Sequence, residues 1–138
     1  MNQEEAEREA AAKKKESSGK KRILVVDDNG STLRTMKAML EGEYEVAIAI
    51  SGAQAMTSIG KKRPDLILLD YEMPVCDGRM TLEMIRADDD MKDIPVVFLT
   101  AVNDRANIEA VIKLKPAGYF LKPAVKDKLI AEIEKILN

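Results

Sequence analysis

Four short aliphatic runs, each ending on a charged or hydroxyl side chain, constrain this chain more than any other feature. Leu66-Ile67-Leu68-Leu69 ends in Asp70, and Ile23-Leu24-Val25-Val26 ends in Asp27-Asp28. Val96-Val97-Phe98-Leu99 ends in Thr100, and Tyr119-Phe120-Leu121 ends in Lys122-Pro123. Consecutive aliphatic residues over so short a stretch read as strands buried on both faces, the kind found in parallel sheets. After the central run, Pro74 keeps the strand from continuing. The carboxyl ends of parallel strands share one edge, and α/β sheets bind their ligands there. Three carboxylates, a hydroxyl and an ammonium are therefore expected in one pocket.

Helical patterns alternate with these runs. Ser31 to Glu41 carries Leu33, Met36 and Leu40 on one face. Tyr44 to Ala49 reads as a short strand whose polar Glu45 suggests a sheet edge. Ser51 and Gln54 have the spacing of a capping box, predicting a helix to about Lys61. Asp77-Gly78 opens a helix bearing Met80, Met84 and Ile85. Ile94 to Leu99 is the next strand, then a helix over Asn103 to Leu114. The last helix, Ala124 to Leu137, places Val125, Leu129, Ile133 and Ile136 on its inner face. Five strands and five helices specify an α/β, doubly wound (βα)5 domain with a parallel sheet in the order 2-1-3-4-5. That order sets Asp27 and Asp28 beside Asp70.

At 138 residues the chain suits a single core. Residues 1–21 stand apart as a polar, helix-prone or disordered leader without an apolar stripe, and 22–138 form the domain. With 33% charged residues and a net charge of −2, nothing points to nucleic acid. The absence of His removes Ser/His triads and most zinc sites. The lone Cys76 reads as an incidental thiol in a reducing compartment. No apolar run nears the ~20 residues of a membrane span, so a cytoplasmic protein without membrane insertion is expected. The acidic run Asp88-Asp89-Asp90 reads as a solvated loop.

Three carboxylates in one pocket need a cation, and Mg²⁺ is the natural hard ion for them. Lys122 adds a positive point charge and Thr100 a donor. Together these are the parts that phosphoryl transfer to an aspartate requires, with Asp70 as the acceptor.

From Arg22 onward the chain resembles the receiver domain of two-component response regulators, similar to the single-domain chemotaxis type with its flavodoxin-like fold. The resemblance rests on Val25-Val26-Asp27-Asp28, Leu69-Asp70-Tyr71-Glu72-Met73-Pro74 with Asp77-Gly78, Thr100-Ala101, and Tyr119-Phe120-Leu121-Lys122-Pro123. It implies that Asp70 is the phosphoacceptor and that Mg²⁺, or alternatively Mn²⁺, is held by Asp27, Asp28, Asp70 and the backbone carbonyl of Glu72. It also implies that Thr100, the Ala101 backbone and Lys122 contact the phosphoryl group, with Lys122-Pro123 cis. Thr100 and Tyr119 match the switch pair. Glu72 and Val102 match the two positions that tune dephosphorylation. The apolar Val102 would orient no water, which predicts a long-lived acyl phosphate.

The resemblance further implies a signalling domain rather than an enzyme, with self-catalysed phosphotransfer and slow autodephosphorylation only. Without His of its own, the chain would be charged by a sensor histidine kinase or a histidine phosphotransfer protein, or by a small phosphodonor such as acetyl phosphate. Output is expected through a target protein meeting the 103–137 surface, where Ile108, Val111 and Ile112 lie at helical spacing. No output domain for direct nucleic-acid binding is expected, and a phosphorylation-dependent dimer is left open. A phosphorelay intermediate, or the receiver part of a larger hybrid kinase, would carry the same residues. A hydrolase of the haloacid-dehalogenase type would want Asp where Glu72 stands. A flavin binder would not tolerate Asp27-Asp28 against the flavin phosphate.

Overall fold

The computed structural model describes residues 19–73, 76–101, 105–122 and 124–138, the side chains of 105–108 excepted. In chain order the elements are β1 (Arg22–Val26), α1 (Gly30–Leu40), β2 (Glu45–Ala49), α2 (Gly52–Lys61) and β3 (Leu66–Asp70), then α3 (Gly78–Ala87), β4 (Val96–Thr100), α4 (Arg105–Lys113), β5 (Gly118–Leu121) and α5 (Lys126–Leu137). All strand pairs are parallel and the sheet runs β2-β1-β3-β4-β5, as the alternating pattern predicts.

The unbroken aliphatic runs are explained by two cores, one on each face of the sheet. Leu24, Val26, Ile67, Leu69, Val96 and Phe98 face α2 and α3, where Ala55, Ile59, Leu82 and Ile85 meet them. Ile23, Val25, Leu66, Leu68, Val97 and Leu99 face α1 and α5 through Leu33, Met36, Leu129 and Ile133. Each such side chain contributes about 2 kcal/mol by leaving water, so β3 and β4, buried at every position, anchor the sheet. β2 and β5 are the edge strands and the more exposed ones, as Glu45 suggests for β2. The run Tyr119 to Leu121 is thus not buried on both faces as its pattern predicts: β5 has a neighbouring strand on one side only, and Tyr119 and Leu121 are left exposed.

Local chemistry shifts several boundaries. α1 begins at Gly30, because Asn29 rather than Gly30 is its cap and accepts the Thr32 N–H. Ser51 caps α2 as expected, accepting the Gln54 N–H, but Gln54 reaches back to the Ile50 N–H instead of that of Ser51. β4 starts at Val96, after Pro95, which has no N–H to give the ladder but accepts from Ile67 through its carbonyl.

One expectation about a helix face needs correction. Val125 is not on the inner face of α5: it is the extended N-cap residue and 56% exposed, with Leu129, Ile130 and Ile133 buried instead. On α3, Met80 and Met84 lie outward, and Thr81, Leu82 and Ile85 fill the interface. In α4, Val111 is buried and Ile112 exposed, while the side chain of Ile108 lies outside the described residues. Asp88 to Asp90 form a turn, Asp88 half-buried and the other two exposed, in which Asp88 accepts the Asp90 N–H and Asp89 pairs with Lys92.

Candidate functional site

The ladder between β1 and β3 pairs Val26 with Leu69, so the next residues of the two strands, Asp27 and Asp70, leave the sheet side by side. One carboxylate oxygen from each of Asp27, Asp28 and Asp70 lies within 4.8 Å of the others. Asp27 is fully buried and Asp70 is 3% exposed, whereas Asp28 faces solvent. Among the described residues this is the one acidic group with metal-binding spacing.

Lys122 arrives from the far side of the sheet. β5 pairs with β4 so that Leu121 lies opposite Thr100, and the Lys122 N–H continues that ladder to the Thr100 carbonyl at 2.9 Å. Its ammonium then reaches Asp27 Oδ2 at 2.8 Å and Asp70 Oδ1 at 3.2 Å. Burial works against the charged amine, but the hydrogen bond to Asp27 and the charges of Asp70 and Asp27 outweigh it and raise its pKa. Asp70 moves the other way from most paired carboxylates. Burial and the neighbouring Asp27 charge push its pKa up to about 6, against the opposing pull of Lys122 and the Glu72 N–H.

Two backbone amides aim the buried acids. Asn29 N–H donates to Asp27 Oδ1 at 2.9 Å, and Glu72 N–H donates to Asp70 Oδ1 at 3.3 Å. The Glu72 side chain is exposed. Thr100, 1% exposed, ends β4, and the exposed Ala101 follows it. Phe98 lies opposite Tyr119 and Thr100 opposite Leu121, so Thr100 and Tyr119 share one face of the sheet at neighbouring strand ends. Tyr119 is 37% exposed.

The donor set fits a hard divalent ion. It offers carboxylate oxygens, with no His and no thiol in the cluster, and one ammonium cannot balance three carboxylates. Asp27, Asp28, Asp70, Thr100 and Lys122 are thus brought together from four strands. Val102 and Pro123, and with Pro123 the expected cis bond, lie outside the described residues.

Two contributors escaped the sequence reading. One is the Asn29 amide, although an Asn just before Gly30-Ser31 is a legible cap signal. The other is the packing role of Gly78, legible in the sequence only as part of the Asp77-Gly78 helix start: its N–H donates to the Tyr71 carbonyl at 2.9 Å. A Cβ at position 78 would lie 2.6 Å from the Asp70 carbonyl oxygen and 2.7 Å from Tyr71 Cα. The loop after Asp70 can close only over a residue without a side chain.

Comparison with known proteins agrees with this geometry. The family model described as response regulator receiver domain matches residues 23–134. The transcriptional regulatory protein PrrA of Mycobacterium tuberculosis is 37% identical over 113 residues, which are 81% of this chain and 48% of that protein. The DNA-binding response regulator MtrA of Mycobacterium leprae is 34% identical over 113 residues, 81% of this chain and 49% of that protein. The chain therefore spans about half the length of the curated relatives it matches. Among solved structures, the chemotaxis protein CheY4 of Vibrio cholerae superposes with a TM-score of 0.79 at 26% identity, covering 86% of this chain and 99% of that one. The N-terminal domain of a response regulator receiver protein from Methanoculleus marisnigri gives 0.69 at 36% identity, covering 85% and 96%.

Proposed function

The chain belongs to the response regulator receiver domains of two-component systems, and we propose that Asp70 is its phosphoacceptor, charged by a phosphohistidine on a sensor kinase or a histidine phosphotransfer protein. The observation that carries this reading is a buried Asp70 beside Asp27 and Asp28 with the Lys122 ammonium on its Oδ1. Both contacts of Asp70 among the described residues fall on Oδ1, so Oδ2 is the oxygen to attack phosphorus. The new O–P bond forms as the P–N bond to the donor imidazole breaks, and the imidazole nitrogen takes a proton from solvent.

A magnesium ion held by Asp27, Asp28, Asp70 and the Glu72 carbonyl would supply positive charge facing the phosphoryl oxygens. Lys122 contributes a second, fixed charge, and the Thr100 hydroxyl and Ala101 amide are the nearby donors. Lys122 also lines a groove with Ser31, Thr32 and Met36 of α1.

In the signalling step, the Thr100 hydroxyl turns to the new oxygens and the outward Tyr119 ring fills the space it leaves. The 103–137 surface then presents a changed face to a target protein. Residues 22–138 are taken as the receiver and 1–21 as a leader, with signalling and slow self-dephosphorylation as its whole chemistry. Among the described residues no helix is long and apolar enough to cross a membrane.

Incubating wild type and Asp70→Asn with acetyl phosphate and Mg²⁺, then weighing both intact, tests the assignment. One added phosphoryl group on wild type and none on the variant is expected. Equal modification of both, or of neither, contradicts it.

A further inference from the structure

We propose that Asn29 is a positioning residue of the cation site, setting divalent-ion affinity through Asp27 without touching the ion. The inference rests on the reading of the acidic pocket as a divalent-ion site.

Asp27 is a buried carboxylate whose two oxygens are held from opposite sides. The Asn29 N–H donates to Oδ1 at 2.9 Å and the Lys122 ammonium to Oδ2 at 2.8 Å, which together fix the rotation of the group. Asp70 is held differently, with both of its longer bonds, 3.2 and 3.3 Å, on one oxygen. Asp27 is thus the rigid post of the pocket and Asp70 the freer, reacting carboxylate.

What keeps the Asn29 amide aimed at Asp27 is the start of α1. The Asn29 side chain accepts the Thr32 N–H at 3.0 Å, and its carbonyl accepts the Leu33 N–H at 3.1 Å, with the backbone at φ −97 and ψ 111. Leu33, Met36 and Leu40 in turn seat α1 in the core. One residue therefore caps the helix with its side chain and orients a ligand with its amide. Once the cap is lost, the first turn frays and the amide swings. Asp27 can then rotate away from the geometry it shares with Asp28 and Asp70. Outer partners of metal ligands act in this way, and their loss weakens metal binding by roughly ten-fold or more.

The test titrates the full chain with Mg²⁺ by calorimetry, comparing wild type, Asn29→Ala and Asn29→Ser, each also in an Asp27→Ala background. Asn29→Ala is expected to weaken binding about ten-fold. Asn29→Ser should stay within about two-fold, because Ser caps nearly as well as Asn. In the Asp27→Ala background, where the residue-29 amide has no acceptor at position 27, the Ala substitution should add no further loss. A through-hydrogen-bond coupling from the residue-29 amide to the Asp27 carboxylate carbon should be measurable in wild type and Asn29→Ser, and reduced in Asn29→Ala. Unchanged Mg²⁺ affinity in Asn29→Ala, with only a lowered melting temperature, would leave Asn29 a plain helix cap and overturn the proposal. The same loss with and without Asp27 would overturn it as well. Failure of wild type itself to bind Mg²⁺ strikes the reading of the pocket, and is seen before any variant is made.

Discussion

Lys122 and Asp27 are separated by 95 positions in the chain, yet the ammonium of one lies 2.8 Å from the carboxylate of the other. β5 brings the cation and β1 the acid, and two strands, β3 and β4, stand between them in the sheet. The pair closes the pocket around Asp70, which Lys122 also touches.

Removing that ammonium should leave two buried carboxylates facing each other. Lys122→Met is expected to lower the stability of the metal-free protein near neutral pH by about 2 kcal/mol, less than for a fully buried pair because Lys122 is partly exposed. The loss should shrink in acid, where one carboxyl takes up a proton, and saturating Mg²⁺ should restore more stability to the variant than to wild type. Urea denaturation with and without Mg²⁺ checks this, and equal curves for both proteins would contradict it.

Asp70 makes a pH prediction whose sign is fixed. Its pKa in the fold, about 6, lies above the ordinary 3.8, so the native state keeps a proton that the unfolded chain has released. This contribution to stability is fully present below the ordinary value and is lost as pH rises through 6. Metal-free wild type should therefore gain stability relative to Asp70→Asn as pH falls from 7 to 4. The variant should be the more stable at pH 7, by about 3 kcal/mol at most. Denaturation in a chelator across that range measures it; a gap that does not vary with pH would rule the effect out.

Gly78 packs directly against the backbone of Asp70 and Tyr71. A methyl group there would meet the Asp70 carbonyl, Tyr71 Cα and, at 3.1 Å, Phe98 Cε1. Two of these are backbone atoms that cannot swing aside. Gly78→Ala should cost about 2 kcal/mol and displace the carboxyl end of β3. Chemical denaturation gives the first quantity, and hydrogen exchange at the Tyr71 amide, which bonds the Leu99 carbonyl, reports the second.

Lys115 follows α4 with φ at 55, in the left-handed region, where a side chain is strained. Its N–H bonds the Ile112 carbonyl, so the conformation closes the helix. Lys115→Gly should raise stability by about 1 kcal/mol with no effect on Mg²⁺ binding. A lower melting temperature would show that the strain is already relieved elsewhere.

Much of this was legible before any coordinates. Leu66 to Leu69 can be satisfied only by burial on both faces, so β3 is central. Glu45 cannot be buried unpaired, so β2 is an edge, and its carboxylate is in fact paired with Arg22 and Lys62. Val125 misled because hydrophobicity alone does not say where a helix begins: the residue takes an extended backbone as the cap and is left outside.

That Asp27, Asp28, Asp70, Thr100 and Lys122 each end or directly follow a strand, and so crowd one rim, is written in the chain itself. Periodicity and chain connectivity are local properties, and they suffice for that. How they are arranged is a matter of the three-dimensional fold: which oxygen Lys122 takes, that Asn29 and Glu72 aim the acids with their amides, and that burial and the Asp27 charge push the Asp70 pKa up to about 6. Hydrogen-bond direction and burial depend on atoms brought together from four strands, and no single stretch of the chain encodes them.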